Sequence, residues 1–143
     1  MMYEAPKRRI DRVFIHCSAS DNETLSGGAL VEAVRSWHLA RGWSDVGYHF
    51  LIDKKSMIMP GRSLEKTPAA QRGHNTGTVA IMVHGLESFS ELSLVALKGY
   101  CSQINEAYSG HISFHGHCEV SNKSCPVFNY RGLLDLDRFG RMP

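Results

Sequence analysis

The sequence predicts one α/β domain over residues 1–143, with a central mixed β-sheet flanked by helices. Three observations point there. Thr78 to His84 is the longest apolar run, which suits a strand buried in the middle of a sheet. Ala29–Arg41 and Ser90–Tyr108 carry apolar residues at helical spacing. Strand patterns alternate with these helical ones, the order expected when helices cover a mixed sheet. At 143 residues the chain can bury roughly two-thirds of its unfolded surface, so folding needs neither disulfides nor a structural metal.

Residues 1–9 are polar and are expected to form a flexible or edge segment. Arg12–Cys17 reads as a buried strand through Val13, Phe14 and Ile15, and Ser18–Gly28 as a loop of turn-favouring residues. Leu30, Val31, Val34, Trp37 and His38 share a helical face between Gly27-Gly28 and Gly42. The first helix is therefore placed at Ala29–Arg41, with Trp37 and Trp43 as packing residues. Asp45–Asp53 alternates and then runs apolar, Lys54-Lys55-Ser56 turns, and Met57–Met59 returns as the second arm of a hairpin. A loop with Gly61-Arg62 and Gly73-His74-Asn75-Thr76-Gly77 leads to the central strand. In Ser90–Tyr108 the apolar positions are Leu92, Val95, Ala96, Gly99, Ile104 and Ala107, with Ser90 as N-cap and Gly110 past the end. Ile112–His115 is a further short strand, and Leu133, Leu134, Leu136 and Phe139 suggest a short closing helix.

Composition narrows the function classes. The formal net charge is +2 and the charges are mixed along the chain, so there is no basic stripe and no direct nucleic-acid binding is expected. A mildly basic surface suits an anionic polymer such as a cell wall. No apolar run approaches the roughly 20 residues that span a bilayer, and Met1–Arg12 has basic residues without the apolar core of a secretory signal. The expectation is a cytoplasmic protein with no membrane association. Reduced thiols are then expected, which leaves Cys125 free to bind metal as a thiolate.

The stretch His115-Gly116-His117-Cys118 through Lys123-Ser124-Cys125-Pro126 concentrates imidazole and thiol groups. Zinc favours these donors, and a catalytic zinc takes three protein ligands and keeps a position for water. Ile15-His16-Cys17, at the end of a predicted strand, offers the best third ligand. The plainer alternative is a chance cluster among 8 histidines and 4 cysteines, the thiols being small buried apolar groups.

Several motifs in order carry a resemblance. Ile15-His16-Cys17-Ser18-Ala19, Trp37-His38, Arg41-Gly42-Trp43, Asp45-Val46-Gly47-Tyr48-His49-Phe50, Pro60-Gly61-Arg62 and His117 through Cys125-Pro126 resemble the zinc-dependent N-acetylmuramoyl-L-alanine amidases. Within that type 2 amidase and peptidoglycan recognition protein superfamily, the similarity is strongest to small phage endolysins. The resemblance implies a groove holding Zn2+ through His16, His117 and Cys125, with His115 a neighbour, and Tyr48 and Lys123 assisting catalysis. Arg62 and His74 would contact the peptide stem or glycan, although a surface ion pair or a loop hydrogen bond explains each equally well. His38 and His49 read as structural, and His84 has no assigned role.

The implied reaction is attack of a zinc-activated water on the lactyl carbonyl between N-acetylmuramic acid and L-alanine. Lys123 and Tyr48 would stabilise the tetrahedral intermediate, and one of them would relay a proton to the leaving amine. The central strand carries no carboxylate, unlike amidases that use a glutamate base, and Ala69-Ala70-Gln71-Arg72 stands where many relatives have a histidine. The resemblance implies a bacteriolytic monomer, held in the host cytoplasm until released to the peptidoglycan. Its alternatives are a muropeptide-binding protein or a regulator of phage RNA polymerase.

Overall fold

The computed structural model describes residues 1–143. Strands β1 (Arg12–Cys17), β2 (Phe50–Ile52), β3 (Ile58–Pro60), β4 (Thr78–Val83) and β5 (Ser113–Gly116) form one sheet in the order β3-β2-β4-β1-β5. β2, β4, β1 and β5 run parallel, and β3 pairs antiparallel with β2 at one edge. Helices α1 (Gly27–Ala40), α2 (Glu91–Ala107) and the short α3 (Tyr130–Leu133) complete the predicted mixed-sheet α/β architecture. β4 is central and buried along its whole length.

Each face of the sheet has its own core. On one, Val13, Ile15, Val79 and Ile81 meet Leu97, Tyr100, Cys101 and Ile104 of α2. On the other, Leu51 and Met82 meet Leu30, Val31 and Val34 of α1. Successive strand side chains alternate faces, so His16, out of phase with Val13 and Ile15 and in register with Met82, lies on the α1 side.

Several predicted elements are shifted. α1 starts at Gly27 rather than Ala29, and the Gly27 N–H donates to the buried Asp53 carboxylate at 2.8 Å. A carboxylate from the hairpin thus completes the positive end of the helix, which local pattern does not reveal. Asp45–His49 is not strand. Gly47 lies so close to Ala69 that a Cβ would stand 2.1 Å from its carbonyl oxygen, and the Gly47 N–H goes to His38 Nδ1. Tyr48 therefore sits on an irregular segment. β3 begins at Ile58 because the Met57 N–H is bound by the Asp53 carboxylate at 2.8 Å.

α2 buries Leu97, Tyr100, Cys101 and Ile104, whereas Leu92 and Val95 are 64% and 62% exposed. Apolar residues lie on more than one side of this helix, and packing against the sheet selects the side. The closing helix is Tyr130–Leu133; Asn129 caps it by accepting the Gly132 N–H, and Asp135 turns out of it at φ 54°. Leu134 still enters the core, but Phe139 is 64% exposed. Residues 1–9 form no strand, and they are not a free tail. Tyr3 is buried against Phe50 and Tyr100, and Arg8 donates to the carbonyls of Leu64 and Thr78 at 2.8 Å.

Candidate active site

β1 and β5 lie side by side and parallel, so their C-terminal ends open on the same edge, where ligands of open α/β sheets bind. His16 is the penultimate residue of β1, and His117 follows β5 directly. The chain then loops back. The Cys118 N–H donates to the Cys125 carbonyl at 2.7 Å, and the Cys17 N–H donates to Cys125 Sγ at 3.1 Å. One ligand atom each of His16, His117 and Cys125 thus lies within 4.8 Å of the others.

His115 is not part of this group. Its Nδ1 donates to Glu119 at 2.9 Å, and its Nε2 accepts from the Ser113 hydroxyl at 2.7 Å. Glu119 also accepts from the Gly116 N–H at 2.9 Å, closing the turn that presents His117. Gly116 is required there because a Cβ would come within 2.5 Å of the Tyr130 ring.

Burial and neighbouring charge set the protonation of these groups. Burial, reinforced by His117 alongside, holds His16 down to about 3. Burial and the Lys123 ammonium also lower His117. Both rings are therefore neutral at neutral pH, with lone pairs available. The Cys17 thiol alongside, together with burial, pushes the Cys125 thiol up and outweighs the Cys17 backbone N–H, which favours the thiolate, so a thiolate here needs positive charge beside it. Two neutral imidazoles and a thiol converging on one point, with one side open, match the donor set of a catalytic zinc site.

His117 and Cys125 border a cavity of about 740 Å³, with His16 buried behind them, and its walls include Trp37, Arg41, Trp43, Tyr48, Arg72 and Lys123. That size suits a small-molecule or peptide ligand. The Tyr48 ring centroid lies 5.1 Å from that of His16, and burial, then the neighbouring thiols, raise its phenol well above the usual range. Tyr48 thus keeps its proton at neutral pH and can donate a hydrogen bond. Trp37, expected to pack, is 39% exposed along this groove. No aspartate or glutamate is among the lining residues.

Arg62 and His74 do not line the groove. Arg62 donates to the carbonyls of Val46 at 2.9 Å and Thr67 at 3.2 Å, tying two loops together. His74 contributes main-chain bonds to Gln71. Arg41 and Arg72 take the positions along the groove wall; both lie in stretches singled out in the sequence, but nothing there assigns them to the groove. His38 Nδ1 accepts from Gly47 N–H, and His49 Nδ1 accepts from Ala80 N–H, so both are satisfied structural histidines. Buried His84 links Ser18 to Asn22 and so braces the loop after β1.

Known proteins share this arrangement of fold and sequence. Residues 6–128 match the family model described as N-acetylmuramoyl-L-alanine amidase. The endolysin of Klebsiella phage KP32 is 29% identical over 133 residues, covering 87% of this chain and 85% of that one. The endolysin of Escherichia phage T7 is 29% identical over 129 residues, with 85% and 83% covered. Among solved structures, the amidase LysC from Clostridium intestinale superposes with a TM-score of 0.77 over 94% of this chain and 93% of that one; at 20% identity it bears on the fold alone. Drosophila PGRP-LB superposes with a TM-score of 0.70 at 27% identity, covering 86% and 78%. With the family model spanning most of its length and the His/His/Cys group beside its groove, the chain belongs to the N-acetylmuramoyl-L-alanine amidase family.

Proposed function

We propose that this protein is a zinc-dependent hydrolase that cleaves the amide bond between N-acetylmuramic acid and L-alanine in bacterial peptidoglycan, acting as a phage endolysin. The observation that carries this reading is the meeting of His16, His117 and Cys125 beside a groove lined by Tyr48 and Lys123. Zinc held by these donors supplies a Lewis acid and a water acidic enough to react near neutral pH.

The chain's own residues provide the rest. Lys123, exposed on the groove wall, offers a fixed positive charge for the oxyanion that develops at the scissile carbonyl. Tyr48 keeps its proton, so it donates a hydrogen bond to that oxyanion or passes a proton to the departing amine of L-alanine. Arg41 and Arg72 meet the stem peptide with positive charge, and the absence of lining carboxylates favours an anionic polymer. The endolysin relatives support a place in host lysis, with the protein stored in the bacterial cytoplasm and released to the wall.

The test is mass spectrometry of purified sacculi digested with protein carrying one equivalent of zinc. Free stem peptides beginning with L-alanine are expected. Muropeptides that are bound but left intact would defeat the hydrolase reading in favour of recognition alone.

A further inference from the structure

Gln71 lies in the loop before β4 and is completely buried, yet it belongs to no hydrophobic cluster. Its hydrogen bonds can be assigned without ambiguity. The Thr78 hydroxyl donates its single proton to the Asn75 carbonyl at 2.8 Å. The 2.7 Å contact between Thr78 Oγ1 and Gln71 Nε2 is therefore filled by a proton from the amide. The second amide proton goes to the His74 carbonyl at 3.3 Å. Both donors of Gln71 are thus engaged on one side. Its Oε1, which only accepts, is left facing His16 Nε2 at 2.8 Å.

The neutral imidazole of His16 must then carry its proton on Nε2. Its bare Nδ1 turns to the other side, where Cys125 Sγ stands at 3.9 Å. We infer that Gln71 is a positioning residue that selects the metal-binding tautomer of His16, its own orientation being set by Thr78 and the Asn75 carbonyl. The inference rests on the metal-site reading above, since it assigns the nitrogen through which His16 binds. The Asn75 side chain supports the device, because its Oδ1 accepts the backbone N–H groups of Ala70 and Gln71 at 3.1 and 2.9 Å and fixes the loop. A metal-bound histidine whose other nitrogen lacks such a partner binds about 10- to 100-fold more weakly.

Two measurements test this. In 15N-labelled, metal-free protein at neutral pH, long-range proton–nitrogen correlation spectra are expected to show His16 protonated at Nε2; protonation at Nδ1 overturns the inference. Zinc affinity, by competition with a chromophoric chelator, is expected to fall about 10- to 100-fold in Gln71→Met, which keeps the volume and loses the acceptor. Gln71→Glu keeps an acceptor toward His16 and is expected to stay within a few-fold of wild type. If Gln71→Met does not fold, Thr78→Val replaces it. That change removes the shorter of the two bonds that hold Gln71 Nε2, leaving only the 3.3 Å bond to the His74 carbonyl, and is expected to raise the share of the Nδ1–H tautomer with a parallel loss of affinity. A folded Gln71→Met or Thr78→Val protein that binds zinc as wild type does overturns the role of Gln71 while the metal site stands. Wild-type protein that takes up no zinc overturns the metal site itself, and this inference with it.

Discussion

The backbone N–H of Cys17 points at the sulfur of Cys125 across 3.1 Å, joining the end of the first strand to a loop more than a hundred residues later. A donor aimed at sulfur favours its thiolate. The same contact sets Cys125 beside the imidazole of the residue preceding Cys17. One main-chain bond thus helps to shape the ligand and to close the group.

Removing that sulfur should remove the metal. Cys125→Ser is expected to lose bound zinc and hydrolysis together while remaining folded, since the side chain is only partly buried. Metal analysis beside a turnover assay checks it. Full zinc occupancy in the serine variant would exclude Cys125 as a ligand.

Lys123 should separate binding from turnover. Lys123→Ala is expected to keep its zinc and lose about 100-fold or more in kcat, the scale of removing one stabiliser of a developing oxyanion. Turnover at the wild-type rate would take Lys123 out of the mechanism. Tyr48→Phe is expected to behave likewise, with a loss of about 100-fold.

Arg62 and Arg72 should have opposite signatures. Arg62→Ala removes two bonds that hold loops together and is expected to cost about 1–2 kcal/mol of stability, read from a denaturant midpoint, with KM unchanged. Arg72→Ala is expected to raise KM for stem-bearing muropeptides with little change in stability. The reverse pattern would restore Arg62 to the groove.

Acid should destabilise the metal-free protein. His16 in the fold sits at about 3, below the ordinary value near 6.5, so the unfolded chain takes up the proton first. Its contribution is complete above about pH 6.5 and is lost progressively as pH falls toward 3. His38 and His49, both lowered to about 4 by burial, act in the same direction. Urea unfolding between pH 7 and 4 should show falling stability, with a shallower slope in His16→Gln. Identical slopes would show that His16 is not buried neutral.

What the sequence determined by itself was rhythm and chemistry. The apolar run at Thr78–His84 is a central strand because such a run can be satisfied only by burial on both faces. The resemblance of several motifs in order to a known amidase family, rather than spacing alone, nominated His16, His117 and Cys125 as one group. Tertiary structure alone decided the rest. It chose Leu97, Tyr100 and Ile104 over Leu92 and Val95 as the buried side of α2, because an apolar residue does not encode which neighbour it will meet. It set Arg41 and Arg72 along the groove and turned Arg62 to loop carbonyls, because a long side chain in a loop takes its direction from distant backbone. It also put Gln71 behind His16, a contact between residues 55 apart that no local pattern announces.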